Sequence, residues 1–143
     1  MVIKKDDIEA FAETEEQLDF WNVGKMKYFT RKMIAPKDLN SNGTLFGGRL
    51  LDWIDEEAYI YCNCQLEKDR LVTRKMSGID FINSAVRGDI IEIGMETVKL
   101  GRSSITIRCD VRNKRSGRTI IKVDEIVFVN IGPDGKPAPH GVK

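Results

Sequence analysis

The chain has 143 residues, of which 41% are hydrophobic and 31% are charged, and its formal net charge is +1 at pH 7. This composition is typical of one globular domain and excludes a disordered chain. The near-zero charge, without a basic-aromatic surface, argues against nucleic acid as a partner. No apolar run is long enough to span a bilayer, and residues 1–7 lack the apolar stretch of a signal peptide. The sequence therefore predicts a cytoplasmic protein with no membrane partner.

The cysteines and the single histidine restrict the possible chemistry. Three cysteines without the spacing of a disulfide framework are typical of a reducing compartment. Cys62 and Cys64 lie two residues apart in a predicted helix, so their side chains point to nearly opposite sides and cannot share a metal. His140, between Pro139 and Gly141, is a poor candidate for the base of a nucleophilic dyad or triad. The sequence therefore predicts no metal, and a chemistry based on carboxylates, amides and backbone.

Local patterns divide the chain into a strand, a helix and four further strands. Residues 1–22, which are rich in acids, are predicted to be an N-terminal extension of a single domain that covers residues 1–143. The first strand is predicted at residues 26–35, and the helical spacing of apolar residues predicts a helix from Gly48 to about Cys64. The four later strands are predicted at about residues 71–83, 89–99, 103–113 and 119–131.

The predicted helix carries apolar residues on two sides. Trp53 and Ile60 form a small patch, and the broad stripe on the other side consists of Leu50, Leu51, Ile54, Ala58, Tyr61 and Cys62. Such a helix is expected to be covered on both sides, by its own sheet and by a second surface. Short connections between the strands favour an antiparallel sheet, which gives an α+β fold class.

Two features of the predicted strands leave alternatives open. Glu125 interrupts the apolar alternation of the last strand, which indicates either a β-bulge or a buried functional carboxylate. Residues 99–122 carry eight Lys and Arg residues against one acid, Asp110. These cations form either a solvated sheet face or a site for phosphate, which arginine and lysine recognise.

The strongest candidate site combines the loop that enters the helix with one acid on the helix. The adjacent glycines Gly47 and Gly48 let a ligand approach the free amides at the helix start, and such amides suit the oxyanion of an attacked carbonyl. Asp55 lies seven residues after Gly48, on the same side of the helix and at the edge of the apolar stripe. Apolar surroundings disfavour a charged carboxylate and make it a better base. A loop with a capping glycine and an ordinary helix-surface acid are the alternative interpretations.

The same loop and helix carry a longer pattern, Asp-x-Asn-x-x-Gly-x-x-Phe-Gly-Gly followed after seven residues by Asp. The matching residues are Asp38, Asn40, Gly43, Phe46, Gly47, Gly48 and Asp55. This pattern resembles that of the hotdog-fold acyl-CoA thioesterases, the group containing bacterial short acyl-CoA hydrolases and brain-type acyl-CoA hydrolase. Weaker similarities extend the resemblance over roughly residues 26–137. The chain departs from it at residues 83–85, Asn-Ser-Ala, where many relatives have a proline.

The resemblance implies a hotdog fold, in which an antiparallel sheet wraps one long central helix. It implies a homo-oligomer built on dimers that join their sheets edge to edge and often assemble further, for example as a trimer of dimers. It also implies an enzyme that hydrolyses acyl-CoA to a free fatty acid and CoA, with no cofactor besides the coenzyme A of its substrate.

The resemblance also assigns roles to individual residues. The helix aspartate acts as general base or nucleophile and the loop asparagine positions the thioester or water, so Asp55 and Asn40, from different subunits, are the predicted catalytic pair. The amides near Gly47 and Gly48 are the predicted oxyanion site. Arg102, with its neighbours in the turn of Gly101, Ser103 and Ser104, is predicted to contact CoA phosphate, with Lys99, Arg74 and the basic strand residues as alternatives.

Two other functions stay open at this point. A hotdog dehydratase acting on a hydroxyacyl thioester usually pairs its acid with a histidine, and the sequence offers none in the predicted core. A non-catalytic sensor of CoA thioesters would keep the basic turn but would not need Asp55. A thioesterase assay on the wild type and on an Asp55 variant separates the three functions.

Overall fold

Five strands and one long helix occupy residues 25–142, the part of the chain that the computed structural model describes. Strand β1 is Lys27–Met33, and a 3₁₀ turn at Pro36–Asp38 leads to helix α1, Gly47–Leu66. The later strands are β2, Leu71–Phe81; β3, Ile90–Leu100; β4, Ser104–Asn113; and β5, Thr119–Asn130. The predicted N-terminal extension, residues 1–22, lies outside the described residues, and the single domain over the whole chain stays a prediction.

The strands of the described region form one antiparallel sheet in the order β1-β3-β4-β5-β2. Helix α1 lies across one face of this sheet and contacts β2, β3, β4 and β5. Strand β4 shows how the sequence determines this arrangement, because its alternate residues Ile105, Ile107, Cys109 and Val111 are all fully buried. The predicted α+β class, with an antiparallel sheet around one long helix, is confirmed.

Helix α1 buries the predicted broad stripe against the sheet. The helix continues past its predicted end at Cys64 because Leu66, 2% exposed, adds a further buried position four residues after Cys62. Glu67 then ends it in the left-handed conformation, at φ 53°. On the opposite side Ile60 is 49% exposed, so the second apolar patch is only partly covered within one chain. No helix among residues 25–142 is long and apolar enough to cross a membrane.

Strand β5 contains the irregularity that Glu125 indicated. Asp124 and Glu125 together lie opposite Arg108 of β4, since Ile107 pairs with Ile126 and Cys109 pairs with Val123, and this extra residue is a β-bulge. The Glu125 side chain is 37% exposed, and its carboxylate lies 3.4 Å from the Lys75 ammonium. The bulge interpretation is therefore confirmed, and the alternative of a buried functional carboxylate is wrong.

Strand β2 is an edge of the sheet with apolar side chains exposed along it. Val72, Ile79 and Phe81 are 43%, 38% and 53% exposed, and Ile82, just beyond the strand, is 44% exposed. The strand ends before the predicted residue 83 because the N–H groups of Ile82 and Asn83 both donate to the Ile120 carbonyl, at 2.8 and 3.2 Å. A long apolar edge of this kind is a template for pairing with another chain.

Candidate active site

Asp55 is half-buried on α1, at the edge of the apolar stripe as predicted. The Thr73 hydroxyl of β2 donates to Asp55 Oδ1 at 2.7 Å. Thr73 stands directly before Arg74, the extra residue of a bulge in β2. No other hydrogen bond reaches the Asp55 carboxylate from residues 25–142. One oxygen is thus oriented by the protein, while Oδ2 is available to a water molecule or a substrate.

The three neighbouring acids of α1 are placed differently from Asp55. Asp52 and Glu56 are exposed on the wet face of the helix. Glu57 lies on the opposite border of the stripe, where its carboxylate accepts a hydrogen bond of 2.6 Å from the Thr30 hydroxyl of β1. Asp55 is therefore the one acid of this group that is hydrogen-bonded to β2.

The first amides of α1 are free to bind an acceptor. The N-cap residue Phe46 makes no side-chain hydrogen bond, and the N–H groups of Gly47, Gly48 and Arg49 have no acceptor among residues 25–142. A Cβ at position 47 would lie 3.0 Å from the Phe81 ring, which explains the glycine there. Position 48 faces open space. These amides can therefore receive a carbonyl oxygen or an oxyanion.

Asn40 organises the loop that precedes the helix. Its Oδ1 accepts hydrogen bonds from the N–H groups of Asn42 and Thr44, at 2.9 and 3.2 Å, and its Nδ2 donates to the Thr44 hydroxyl at 3.0 Å. This Asx arrangement shapes a turn. The predicted catalytic asparagine is thus half-buried at the entrance to the helix and holds its own loop.

Asp38 and Arg49 fix the same loop to the helix. Asp38 is 3% exposed, and its Oδ2 accepts a hydrogen bond of 2.9 Å from the Ala35 N–H. Arg49 Nε lies 3.7 Å from the second Asp38 oxygen, and Arg49 Nη2 donates to the Lys37 carbonyl at 3.3 Å. The Asp38 carbonyl also accepts the Phe46 N–H at 3.0 Å, which determines where α1 begins.

The free amides and the Asp55 carboxylate are too far apart to act together within one chain. Seven residues separate Gly48 from Asp55, which is about 10.5 Å along a helix axis. A nucleophile and an oxyanion donor must both lie roughly 3 Å from the atoms of one carbonyl group. Within one chain, the amides of Gly47 and Gly48 and the Asp55 carboxylate therefore cannot both contact one carbonyl group.

The turn between β3 and β4 offers unpaired donors. The Arg102 side chain is exposed and makes no hydrogen bond or ion pair with residues 25–142, and the N–H groups of Arg102 and Ser103 also lack a partner there. A Cβ at position 101 would lie 2.3 Å from the Ser104 hydroxyl, so a larger residue there would force that hydroxyl to move. These donors are suited to an anion.

Other cations of the basic segment bond to the protein itself. The pairs are Arg108 with Glu96 (2.9 Å), Arg112 with Glu92 (3.6 Å) and Arg118 with Asn83 (2.6 Å). The sheet-face interpretation therefore holds for these three residues. Arg102 stays the predicted phosphate contact, with Lys99, Arg74 and the remaining basic residues of the segment as alternatives.

Asp55 and the Arg102 turn lie at the same end of the sheet. Thr73, the partner of Asp55, pairs with Phe128 of β5, and Phe128 pairs with Ile105 of β4, next to the turn. Two strand spacings separate Thr73 from Ile105, which is roughly 10 Å. The carboxylate and the β3–β4 turn can therefore contact different parts of one extended ligand.

A cavity of about 260 Å³ opens beside the start of α1. Its walls are mainly apolar and include Leu50, Phe81, Ile82 and Ile120. The segment at residues 83–85, where the chain departs from the family pattern, also lines it. An apolar group bound next to the free amides would enter this space.

The thiols and the imidazole are poor candidates for the reacting groups. Burial raises the pKa of both Cys62 and Cys109, so these thiols stay protonated. Cys64 is exposed, which confirms that Cys62 and Cys64 point to different sides. Both ring nitrogens of His140 are hydrogen-bonded to backbone groups. Within the described region no three His, Cys, Asp or Glu residues are grouped to hold a metal ion.

Sequence reasoning did not assign a role to Thr73 or to the Asp38–Arg49 pair. The available signal for Thr73 was a hydroxyl side chain at the start of the strand that follows the helix. Its contact with Asp55 depends on how α1 lies across β2, which the sequence pattern does not specify.

The sequence and the fold are similar to those of known thioesterases. The family model of the Thioesterase superfamily matches residues 42–120, more than half of the chain. Acyl-CoA thioester hydrolase YciA of Salmonella typhimurium is 32% identical over 119 residues, which cover 79% of this chain and 89% of that protein.

Two solved structures show the same likeness. The hexameric thioesterase of Yersinia pestis superposes with a TM-score of 0.74 at 28% identity, over 82% of this chain and 97% of that one. An acyl-CoA hydrolase of Staphylococcus aureus, in complex with butyryl coenzyme A and coenzyme A, superposes with a TM-score of 0.71 at 26% identity. That match covers 80% of this chain and 68% of the Staphylococcus aureus chain.

Proposed function

Because the chain belongs to the Thioesterase superfamily, we propose that it is an acyl-CoA thioester hydrolase with Asp55 as its catalytic carboxylate. The observation that carries the proposal is the half-buried Asp55, oriented by Thr73 at 2.7 Å and with Oδ2 free. The relatives described above, which are named for acyl-CoA, support this class of substrate. Release of free thiol from acyl-CoA substrates of graded chain length tests the proposal, and no release at any length would refute it.

In the proposed reaction Asp55 acts as general base or as nucleophile. As a base, its free oxygen takes a proton from water while the water oxygen attacks the thioester carbonyl carbon, and the amides of Gly47 and Gly48 bind the oxyanion. Collapse of the tetrahedral intermediate breaks the carbon–sulfur bond and expels the CoA thiolate, which takes the proton from Asp55. A thiol with a pKa of about 8.5 leaves readily, so neither a strong acid nor a histidine is needed. The engaged ring nitrogens of His140 disfavour the dehydratase alternative.

A second copy of the chain would complete this site by pairing along β2. If two β2 strands pair antiparallel about a two-fold axis near Met76, residue 81 of one copy lies beside residue 71 of the other. This brings the Gly47–Gly48 amides of one copy, which lie against Phe81, towards Asp55 of the other copy. The exposed apolar residues of β2 would be buried by the same contact.

We expect the protein to be an obligate oligomer built on such dimers, and we propose a trimer of dimers because the Yersinia pestis thioesterase is hexameric. Light scattering and sedimentation at micromolar concentration should show no folded monomer, because the β2 edge and the Ile60 side of α1 would be left exposed. A folded monomer with full activity would contradict both the oligomer and the shared site.

The Arg102 turn is the proposed site for the phosphates of coenzyme A. We expect Arg102→Ala to raise KM for acyl-CoA by about tenfold while kcat changes by less than about twofold, because the guanidinium contacts a part of the substrate remote from the thioester. The salt dependence of KM should also weaken. Steady-state kinetics on acyl-CoA and on acyl-pantetheine, which lacks the nucleotide, measure these effects.

Arg115→Ala is the matched control for the Arg102 variant. Arg115 is also an exposed arginine, in the turn at the opposite end of β4, so its loss should leave KM for acyl-CoA unchanged. Equal losses in the two variants, or an equal effect of Arg102→Ala on acyl-CoA and acyl-pantetheine, would show that Arg102 makes no specific phosphate contact.

The proposed compartment is the cytoplasm. All three cysteines are free, as expected in a reducing environment. Cys62 and Cys109 are fully buried in the core, where each behaves as a small apolar side chain.

A further inference from the structure

Two parts of the chain hold the β3–β4 turn by donating hydrogen bonds to the carbonyl groups of that turn: the C-terminal segment, residues 137–142, and the end of β5. The His140 N–H donates to the Arg102 carbonyl at 3.2 Å, and the Asn130 N–H donates to the Ser103 carbonyl at 2.7 Å. The Ser104 carbonyl accepts from the Gly101 N–H at 2.9 Å and also lies 3.1 Å from His140 Nε2. Three consecutive carbonyls are therefore fixed by the protein, while the amides of Arg102 and Ser103 stay free.

The partners of His140 define its protonation state. The Val142 N–H donates to Nδ1 at 3.1 Å, so Nδ1 carries no proton. The Ser104 carbonyl can only accept, so Nε2 carries the proton and donates it to that carbonyl. The imidazole is thus neutral, and it is 3% exposed. Both ring nitrogens are hydrogen-bonded to backbone groups of other residues.

Asn130 fixes the position of His140 from the end of β5. Its Nδ2 donates to the carbonyls of Ala138 and Pro139, at 3.0 and 3.4 Å, and its carbonyl accepts the Ala138 N–H at 2.9 Å. Asn130 is 7% exposed, so these bonds are protected from water. The segment that carries His140 is therefore tied to the sheet independently of the imidazole.

We propose that His140 is a positioning residue for coenzyme A: its neutral imidazole clamps the β3–β4 turn so that Arg102 and Ser103 present their donors to the phosphates of the nucleotide. The proposal rests on the proposed function, and it adds a residue that touches neither the thioester nor the phosphates. Without the imidazole the turn would keep its backbone hydrogen bonds from His140 and Asn130 but lose the one to the Ser104 carbonyl. The Arg102 and Ser103 donors would then be less ordered before the ligand binds, which would weaken binding.

The first test compares His140→Phe and His140→Gln with the wild type at pH 8. Phenylalanine fills the same space without either hydrogen bond, whereas glutamine retains an amide donor for the Ser104 carbonyl. We expect His140→Phe to raise KM for acyl-CoA by about five- to twentyfold with little change in kcat, and to leave KM for acyl-pantetheine unchanged. His140→Gln should recover most of the loss. Equal losses of His140→Phe on the two substrates, or an unchanged KM for acyl-CoA, would overturn the proposal.

The second test keeps the proposal falsifiable if His140→Phe fails to fold. It compares the ratio of KM for acyl-CoA to KM for acyl-pantetheine between the wild type and His140→Gln at pH 8. Because glutamine retains the donor to the Ser104 carbonyl, the ratio should rise by less than about threefold. A rise of about tenfold or more in a folded His140→Gln would overturn the proposal.

Calorimetric titration with coenzyme A itself at pH 8 separates this inference from the proposed function. A wild type that releases no thiol from any acyl-CoA refutes the hydrolase, but its affinity for coenzyme A still tests the clamp. The wild type and His140→Gln should bind coenzyme A several times more tightly than His140→Phe does. Equal affinities of the wild type and a folded His140→Phe would refute the clamp.

Discussion

Asp55→Asn is expected to lower kcat for acyl-CoA by roughly two to four orders of magnitude, the scale for loss of a positioned general base. Asparagine keeps the shape of the side chain and an oxygen that accepts the Thr73 hydrogen bond, so the fold and the oligomer should survive. It removes the charged oxygen that would attack the carbonyl or take the proton from water. Thiol-release kinetics measure the loss, and circular dichroism with light scattering checks the fold and the assembly.

Asp52→Asn and Glu56→Gln are the controls for this variant. Both residues are exposed acids of the same helix, and their loss should change kcat by less than about twofold. Wild-type activity in Asp55→Asn together with an inactive Glu57→Gln or Glu125→Gln would assign the catalytic carboxylate to a different residue. The proposed reaction would then be wrong.

Mixing two defective variants is expected to restore activity if the site is shared between chains. Asn40→Ala alone should lower kcat by about one to three orders of magnitude, because it removes one polar contact to the transition state. In a mixed dimer of Asp55→Asn and Asn40→Ala chains, one site receives an intact Asp55 from one chain and an intact Asn40 from the other. Random pairing should then return about one quarter of the wild-type activity. Co-expression with two affinity tags isolates assemblies that contain both variants.

A site confined to one chain predicts a different outcome for the mixture, since every site would retain one defect and activity would stay low. Because Asn40 also holds its loop, Asn40→Asp provides a second variant for the same experiment. Aspartate keeps the oxygen that accepts from Asn42 and Thr44 but loses the Nδ2 donor. Restoration with Asn40→Asp would show that the missing donor, rather than a collapsed loop, causes the defect.

The family and the fold were predictable because they depend on local patterns. The alternation of Ile105, Ile107 and Val111 determines a strand with one buried face, and the helical spacing of α1 determines which side of the helix carries Asp55. The motif from Asp38 to Asp55 identified the family, which the comparisons confirm. In each of these cases the information lies within a short stretch of sequence.

The remaining parts of the site depend on contacts between distant segments. The Thr73 hydrogen bond requires the position of α1 over β2, and the end of β2 depends on the Ile120 carbonyl. His140 follows a loop rich in proline and glycine, and its burial depends on how residues 137–142 return to the β3–β4 turn. No periodicity in the sequence encodes these contacts. The roles of Asp55, Asn40, the helix amides and the Arg102 turn stay predictions for the experiments above.

Gly48 and Asp55 lie about 10.5 Å apart along α1, and in the proposed dimer each site therefore takes Asp55 from one chain and Asn40 from the other. This sharing has a genetic consequence. A chain that carries both Asp55→Asn and Asn40→Ala would damage both sites of every dimer it enters, so it would act as a dominant inhibitor of normal chains. Conversely, if a gene is duplicated, one copy could lose Asp55 and the other could lose Asn40, and the two chains would still form one working site between them. Selection on these residues would then act on the pair of chains rather than on either chain alone.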